Sequence, residues 1–434
     1  MKRNARIEPS SEIQSAAPSG ISESFLDAPN TAFSKSCAQS RGGVLVFATA
    51  LVFVLVFFIQ GIFFIRANSQ TFDEATHLAA GYSYLATADF RLDSEHPPLI
   101  KMLQALPLFL IYKLPFDTDS DHWHKKGDYL IGRDFLYNST LPADQILGAS
   151  REVNLLLGGL LIVLIGWWAY RLWGVRAATL ATALACVEPN LVAHSALVTT
   201  DVGIALFIFL TIYLLWEYLN RHAWWLLAII GVSIGLALVS KFSALLLLPI
   251  VGLIVGIFLL LGNEAFLLPL RTPENRLRRK FLHAAGFFCL ILIIAVLTIP
   301  PAYFFHGFQP WLSGFDRFRT LADAGRLAFF FGEYSYLGWW SYYPIAFLIN
   351  TPIGSLLLIA ASLLYCRVGT PLQRREAIFL LLPVAVICLA MTQAGVNIGL
   401  RHVLPVYPFL FVLASRLATV QFPRRWLAPF VIGA

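Results

Sequence analysis

The sequence predicts an all-α polytopic membrane protein, and three observations lead to this fold class. Charged residues make up only 13% of the 434 residues, against about 25% in an ordinary soluble protein. Mean hydropathy is +0.70. The apolar residues fall into blocks of about 18–25, the length at which a helix spans a bilayer. So little charge cannot cover a globule, which excludes a soluble enzyme, a disulfide scaffold and a disordered protein.

The N-terminal part predicts a tail followed by a membrane anchor. Residues 1–42 are rich in Ser, Ala and Pro, so we expect a disordered cytoplasmic tail. A cleavable signal peptide would begin its apolar core much closer to the N-terminus. The first apolar segment, from Gly43 to Ile65, is therefore expected to remain as an uncleaved span.

Ten apolar segments predict a bundle of about ten or eleven transmembrane helices. After the first, they lie at about 152–172, 176–193, 198–219, 223–239, 243–261, 281–302, 342–365, 377–392 and 405–419. The block over 223–262 is too long for one span, so we predict a hairpin with its turn near Ser240–Ser243. Residues 421–434 are expected to begin a further, incomplete span.

The loop charges predict the orientation of these spans. With the tail in the cytoplasm, the cytoplasmic turns carry thirteen Lys or Arg against three acidic residues. The first loop on the other side, residues 66–150, carries eleven acidic residues against seven Lys or Arg. This bias follows the positive-inside rule. We therefore expect the first loop to face the periplasm or an organelle lumen, in a multi-pass protein of the cell inner (plasma) membrane.

The first external loop contains three local patterns. Residues 75–87 predict a short helix, and the broken apolar stretch 99–114 predicts a helix lying in the membrane interface. The alternating run Asp117, Asp119 and Asp121 does not match a calcium-binding loop, because the glycine and the final glutamate of that motif are missing. We interpret this run as a solvated loop.

Charged and polar groups near the outer ends of the spans are the candidate site residues, because buried charge in a membrane is usually functional. These candidates are Asp73, Glu74, His77, Glu95, His96, Asp201, Lys241, Arg401 and His402. By the predicted topology they all face the same outer side. That convergence, in a chain with little charge, indicates an active site.

Each candidate also has a purely structural interpretation. Asp73 and Glu74 can favour the N-terminus of the helix that follows, and Asp201 can cap a helix with about even odds. Lys241 can extend its ammonium to the membrane surface, and His96 before two prolines can shape a turn. The aromatic-rich segment 303–343 is typical of an interfacial belt, and can equally stack on sugars or guide a lipid chain.

Five cysteines are scattered without any C-x-x-C pair, so neither a zinc site nor a disulfide framework is indicated. The chain also lacks a glycine motif for nucleotide binding. No cofactor and no metal is expected, and no nucleic-acid partner.

The most specific motif lies in the first loop. Residues 72–85 read Phe-Asp-Glu-Ala-Thr-His-Leu-Ala-Ala-Gly-Tyr-Ser-Tyr-Leu, followed by Asp-Phe-Arg-Leu at 89–92 and Glu-His-Pro-Pro-Leu at 95–99. Further motifs lie at 188–194, 199–201, 240–241 and 399–405. Over residues 43–420 the chain resembles lipid-carrier-dependent glycosyltransferases of the GT-C fold. It is most similar to glycosyltransferase family 39, the protein O-mannosyltransferases, and to the aminoarabinose transferases of lipid A.

The resemblance implies inverting transfer of one sugar from a polyprenyl-phosphate carrier to a lipid, glycan or protein acceptor, usually without a metal. By resemblance Asp73 is the general base, and Glu74 and Asp201 orient the acceptor or tune that base. His77, Glu95, His96, Lys241, Arg401 and His402 form the substrate-binding set. Relatives often carry Glu-Lys where this chain has Glu95-His96, so Lys241 and Arg401 are the expected permanent cations for the carrier phosphate.

Two alternatives come from other classes. In a polytopic transporter or lipid flippase, Asp73, Asp201 and Lys241 would line a path, but the sequence shows no internal repeat of the kind common in transporters. A metal-dependent transferase of the oligosaccharyltransferase type would need an Asp-x-Asp pair near the first span, and the run at Asp117 lies too far along. The sequence therefore favours the metal-free transferase.

Overall fold

The computed structural model describes residues 41–125, 127–261, 277–368 and 374–420. The expected tail over 1–40, most of the basic loop 263–280 and the incomplete span over 421–434 lie outside these ranges. The described residues from Val46 onward belong to one unit. Most of them are helical, as the sequence predicts, and the described strands form one short β-hairpin.

The first half of the described chain runs through the first span, the long loop at 66–150 and the next three membrane segments. Its helices are α1 (Arg41–Ala67), α2 (Glu74–Thr87), α3 (Leu99–Pro107), α4 (Asp121–His124), α5 (Asp128–Tyr137), α6 (Ala143–Trp173), α7 (Val175–Val187), α8 (Pro189–Ser195) and α9 (Asp201–Arg221). A π-helical turn, Leu108–Tyr112, continues α3.

The second half contains the remaining membrane segments and the hairpin. Its elements are α10 (Trp224–Leu238), α11 (Leu247–Leu260), α12 (Leu277–Leu297), α13 (Ile299–Ala302), α14 (Gln309–Ala324), β1 (Ala328–Phe330), β2 (Glu333–Ser335), α15 (Tyr342–Asn350), α16 (Ile353–Val368), α17 (Arg374–Gln393) and α18 (Val406–Ser415). Short 3₁₀ turns lie at Phe242–Leu246, Leu400–Val403 and Arg416–Thr419.

Six helical segments of the described residues are long and apolar enough to cross a membrane, judged by length and composition. The bent pair α15–α16 makes a seventh if it counts as one span. The other three predicted segments coincide with the shorter apolar helices α7, α10 and α18. The chain is therefore a multi-pass membrane protein, and each predicted segment corresponds to one of these helices or, over 342–365, to the bent pair α15–α16.

Proline breaks two of the predicted spans, and the sequence analysis did not predict either break. The segment predicted over 176–193 ends as α7 at Val187, and α8 starts with Pro189 as its first residue. The segment predicted over 342–365 bends by 113° between α15 and α16, at Thr351 and Pro352. Proline has no N–H to donate and disfavours a helical conformation in the residue before it, which explains both interruptions.

The predicted division of 223–262 into two short helices with a turn near Ser240–Ser243 is confirmed, because α10 ends at Leu238 and the 3₁₀ turn before α11 begins at Phe242. The run from Asp117 to Asp121 is exposed, as predicted for a solvated loop. Within the described side chains the cysteines are free thiols, namely Cys186, Cys289 and Cys388. Cys37 and Cys366 lie outside that set.

The loop over residues 66–150 packs as a second core against the ends of the membrane helices. Buried apolar residues of α2, α3 and α5 form a cluster with Val198, Val239 and Tyr303 from the bundle. Two glycines of the loop allow this close packing. A Cβ on Gly81 would lie 2.2 Å from the backbone oxygen of Lys101, and one on Gly132 would lie 2.8 Å from the backbone of α2. α2 is thereby fixed between α3 and α5.

Candidate functional site

A cavity of about 220 Å³ lies where the first loop meets the membrane helices. It is lined by all the predicted site residues except one: Asp73, His77, Glu95, His96, Asp201, Lys241, Arg401 and His402. Glu74 is the exception. The remaining lining residues are Phe72, Thr76, Asp93, Asp128, Tyr129, Thr200, Arg326 and Ile398. Residues far apart in sequence are thus brought together as the charge pattern predicted.

A second cavity, of about 370 Å³, adjoins the first. The two cavities share Phe72, Asp73, Arg326, Ile398 and Arg401. The second is completed by Thr71, His194, Leu197 and Thr199. The shared residues place the Asp73 carboxylate and the Arg401 guanidinium in the boundary between two neighbouring spaces.

Asp73 precedes α2 at the N-cap position, but its side chain makes no capping hydrogen bond. The carboxylate instead accepts a hydrogen bond from Nη1 of Arg401, which lies in the 3₁₀ turn before α18. The Asp73 side chain is 26% exposed and the Arg401 side chain is 22% exposed. Burial is the largest single influence and would raise the pKa of Asp73. The charge and hydrogen bond of Arg401, together with His77 and His96, outweigh it, so the pKa lies below its usual value.

Glu74 points away from the cavity and is fully buried. Both of its oxygens accept from Arg151 of α6, at 2.8 Å from Nε and 2.7 Å from Nη2. The backbone N–H groups of Thr71 and Val198 also donate to it, at 2.8 and 2.9 Å. Burial acts to raise the pKa of Glu74, yet these donors bring it below its usual value. Glu74 therefore ties α2 to α6 and to the loop before α9.

Asp201 is the first residue of α9 and is 2% exposed. Its Oδ1 accepts from Nζ of Lys241, at 2.5 Å. Lys241 stands in the turn between α10 and α11, so this ion pair joins the starts of two membrane segments. Lys241 is thus paired with a carboxylate that also lines the cavity, and its ammonium does not simply extend to the membrane surface.

Asp93 is a central residue that the sequence analysis did not select. Its backbone has φ 44°, a left-handed conformation, and its side chain is buried. Oδ2 lies 2.6 Å from Nδ1 of His77 and 3.1 Å from Nζ of Lys101. Oδ1 lies 2.9 Å from Nδ1 of His96. One carboxylate therefore holds two imidazoles and a buried ammonium, an arrangement that no local sequence motif predicts.

Two arginines around the site were also missed by the sequence analysis. Arg317 of α14 pairs with Glu95 and Asp128, each at 2.8 Å. Arg326 follows α14 and lines both cavities, and it forms no ion pair or hydrogen bond with the part of the chain that the structure describes. Both lie in the segment 303–343, where the aromatic content dominated the sequence signal.

Three polar atoms of uncharged side chains at the cavity walls are buried and have no hydrogen-bond partner within the described ranges. They are Nε2 of His402 at the first cavity, and Nδ1 of His194 and Oγ1 of Thr199 at the second. Burial, helped by the nearby Lys241 charge, lowers the pKa of His402 to about 3. His402 is therefore neutral, and all three atoms can bind a ligand that brings hydroxyl groups.

The aromatic lining of the first cavity comes from Phe72 and Tyr129, whose rings stack at 5.6 Å. The aromatics of 303–343 lie elsewhere, several of them exposed on or beside the hairpin: Phe329, Phe331, Tyr334 and Trp340. Exposed aromatic rings of this kind are typical of an interfacial belt.

Among the described side chains, one set of candidate metal-ligating atoms is closely spaced. Atoms of His77, Asp93 and His96 lie within 4.8 Å of one another. Asp93 already accepts from both imidazoles, and the Lys101 ammonium occupies the position that a cation would take. The donor chemistry therefore fits a hydrogen-bonded cluster better than a metal site.

The helical membrane bundle and the charged cavity under the loop at residues 66–150 define a polytopic membrane protein of the GT-C type. Residues 46–309 match the model of the dolichyl-phosphate-mannose-protein mannosyltransferase family. The chain belongs to that family, which confirms the family predicted from the first-loop motif. No protein with a curated description matches the sequence.

Solved structures share the fold at low sequence identity. Apo ArnT from Cupriavidus metallidurans superposes with a TM-score of 0.59 and 17% identity, over 91% of this chain and 63% of that one. ArnT bound to undecaprenyl phosphate gives 0.57 and 17%, over 90% and 62%. The oligosaccharyltransferase AglB from Archaeoglobus fulgidus gives 0.50 and 13%, over 86% and 50%. The present chain thus spans less than two thirds of the length of ArnT.

Proposed function

We propose that this protein transfers a single sugar from a polyprenyl-phosphate carrier to an acceptor hydroxyl, with inversion and with Asp73 as the general base. One observation carries the proposal: Asp73 lines both cavities, so a base stands between two ligand spaces. A sugar can pass from donor to acceptor only where the two substrates meet, and the residues that line both cavities mark that position. A carboxylate within reach of the attacking hydroxyl contributes about a hundred- to ten-thousand-fold in rate.

The donor class is supported by the relatives. The family model is named for dolichyl-phosphate-mannose, a lipid-linked sugar. One matching ArnT structure holds undecaprenyl phosphate, and the AglB structure holds dolichol-phosphate with an inhibitory peptide. These are ligands of those proteins, and they support a lipid-phosphate carrier for this chain.

The first cavity suits the carrier phosphate. Arg326 carries a positive charge that no described carboxylate pairs, and Lys241 and Arg401 add two further permanent cations. Cleavage of the sugar–phosphate bond leaves a second negative charge on the phosphate. Fixed cations stabilise that charge as it develops, and guanidinium groups bind phosphate through two hydrogen bonds.

The second cavity suits the acceptor. Nδ1 of His194 and Oγ1 of Thr199 are buried without partners, so hydroxyl groups of an acceptor can satisfy them. An acceptor held there attacks from the side of Asp73, opposite a phosphate held in the first cavity. Attack from the side opposite the leaving group gives inversion at the sugar carbon.

The Asp73–Arg401 pair suggests how the base is activated. A carboxylate paired with a guanidinium is a weak base, and its pKa lies below the usual value. A phosphate in the first cavity competes for Arg401, because Arg401 lines that cavity too. When Arg401 turns to the phosphate, Asp73 loses its partner and its pKa rises. The base then becomes effective only when the donor is bound.

Glu74 and Asp201 act through their partners in this proposal. Glu74 holds the start of α2 through Arg151, and so fixes the residue before it, Asp73. Asp201 fixes the Lys241 ammonium at the cavity wall. His77, His96 and His402 complete the binding of phosphate and sugar. The positive-inside bias supports an external position for this site in a plasma or inner membrane, with the N-terminus in the cytoplasm.

The test is sugar transfer by purified protein in lipid bilayers, with a panel of synthetic polyprenyl-phosphate sugars and acceptors. We expect the wild type to release carrier phosphate with and without EDTA. Asp73→Asn should transfer sugar about a hundred- to ten-thousand-fold more slowly. Asp144→Asn is the matched control, because Asp144 is an exposed aspartate at the start of α6.

Three outcomes would change the proposal. Full activity of Asp73→Asn would remove the assigned base and turn attention to Asp201. Loss of wild-type activity with EDTA would favour a metal-dependent transferase. Carrier movement across the bilayer without release of phosphate would favour a transporter or lipid flippase.

A further inference from the structure

The cluster around Asp93 has a role beyond holding the loop together. Its carboxylate binds Nδ1 of His77 and of His96, and both rings line the first cavity. A carboxylate accepts hydrogen bonds, so each Nδ1 carries the proton that it donates to Asp93. In a neutral imidazole the other nitrogen, Nε2, is then an acceptor. Asp93 thereby fixes the tautomer of both rings.

The charge of Asp93 is already balanced without the imidazoles. Lys101 is fully buried, and its Nζ contacts Oδ2 of Asp93 at 3.1 Å and the backbone oxygen of Asp93 at 2.7 Å. A buried carboxylate and a buried ammonium neutralise each other. The two histidines thus lie beside an ion pair whose net charge is zero.

His96 is the more accessible of the two rings. Its side chain keeps 31% of its exposure, against 5% for His77. Its Nε2 has no hydrogen-bond partner in the described part of the chain. Among the cavity residues, His96 therefore combines an available nitrogen with contact to solvent.

We propose that His96 is a proton-linked ligand of the carrier phosphate. When the phosphate enters the first cavity, Nε2 of His96 takes up one proton from solvent and donates it in a hydrogen bond to a phosphate oxygen. Asp93 is the positioning residue that keeps the ring oriented and stabilises the imidazolium once it forms. This inference rests on the proposed function, because it needs a phosphate in that cavity.

The surroundings of His96 support proton uptake by this ring when the phosphate binds. Burial lowers the pKa of His96 more than the Asp93 charge raises it. A phosphate adds a negative charge beside the ring, which raises the pKa again. The charged and titratable groups of the neighbouring elements are Asp73 and His77 at α2, Asp93 and Glu95 in its own turn, Lys101 of α3, Asp128 of α5, Asp201 of α9, Lys241 before α11, Arg317 and Arg326 at α14, and Arg401 and His402 before α18.

The proposal has a thermodynamic consequence. If binding takes up a proton, the affinity for the phosphate rises as the pH falls between the bound and the free pKa of His96. One linked proton limits this change to about tenfold per pH unit. Lysine at the same position would carry its charge throughout and would show no such dependence.

The experiment is isothermal titration calorimetry of the full chain in neutral-detergent micelles, with a short polyprenyl methyl phosphodiester as probe. A phosphodiester does not titrate near neutral pH, so any proton taken up belongs to the protein. The number of protons follows from the binding enthalpy measured in buffers of different ionisation enthalpy. We expect the wild type to take up roughly half a proton or more at the optimal pH.

Three variants make the result specific. His96→Lys is expected to bind the probe with an uptake close to zero, and Asp93→Asn to bind weakly with a reduced uptake. His122→Gln is the matched control and should behave as the wild type, because His122 has a similar bond to Asp134, at 2.6 Å, but lies outside both cavities. The expected result for His96→Lys is retained binding. A loss of binding in this variant would therefore reveal a folding defect directly.

Two results would overturn the inference. Binding to the wild type with no proton uptake, or with the same uptake as His96→Lys, contradicts the role of His96 and leaves the proposed function standing. Absence of binding to the wild type at every pH contradicts both, because no phosphate then enters the cavity. The calorimetric readout thus separates the two failures.

Discussion

Asp73 and Glu74 are neighbours in the sequence, and each pairs with an arginine, yet they lie in opposite environments. The Glu74–Arg151 pair has side-chain exposures of 0% and 2%. The Asp73–Arg401 pair has 26% and 22%, and lines both cavities. The Glu74 carboxylate accepts hydrogen bonds at both oxygens from buried partners. The Asp73 carboxylate pairs with Arg401, which also lines the cavities and can bind a ligand there instead.

This difference shows which carboxylate of the Asp73–Glu74 pair is available for catalysis. Successive residues at the start of a helix point about 100° apart, so one side chain faces the packed interior when the other faces outward. Glu74 faces α6 and stabilises the loop, and Asp73 faces the cavities. The local chemistry of the two residues offered no basis for this choice, since both acids favour a helix N-terminus equally. The assignment of Asp73 as the base came from the family resemblance alone.

The strongest test of this comparison is Glu74→Gln. We expect a loss of about 3–5 kcal/mol in the free energy of unfolding, because the buried Arg151 charge would lose its partner. The measurement is reversible unfolding in mixed detergent micelles. The double variant Glu74→Gln with Arg151→Met should recover part of the loss, since no unpaired charge remains. A stable Glu74→Gln protein without activity would place Glu74 with Asp73 in the catalytic set and break the comparison.

Arg401→Gln should have the next largest effect, on activity rather than on folding. Loss of one group that stabilises charge in a transition state lowers kcat by about a hundred- to a thousand-fold. Burial of Asp73 would no longer be opposed by the Arg401 charge, so its pKa should rise. We therefore expect the acid limb of the pH profile of kcat/KM to move to higher pH. An unchanged acid limb would show that Arg401 does not control the base.

The smallest effect is expected at an exposed pair of the same loop, Asp121–Lys125. Its side chains keep 84% and 73% of their exposure, and their atoms lie 3.1 Å apart. Exposed pairs contribute about 0–1 kcal/mol. Asp121→Ala should change neither the thermal midpoint nor the rate of sugar transfer appreciably. A loss as large as that of Glu74→Gln would show that pairing in this loop, rather than burial, sets the stability.

Much of the site was predictable because charge is rare in this chain. Asp201, Lys241 and Arg401 were selected as charged residues at the ends of apolar segments, and the fold brings them to one cavity. Asp93, Arg317 and Arg326 were missed. Asp93 resembles any polar loop residue, and its importance comes from a left-handed backbone and from partners at positions 77, 96 and 101. The two arginines lie in a segment whose aromatic residues gave the stronger signal.

The sequence by itself determined the membrane class, the position of each apolar helix and the family. Segment length and the rarity of charge are local properties, and the motif at 72–85 is continuous in the chain. Only the tertiary structure decided that Glu74 is buried and that Asp73 stands between two cavities. Which face of a helix is covered, and which arginine reaches which carboxylate, depends on packing between residues as far apart as Asp73 and Arg401. No local pattern contains that information.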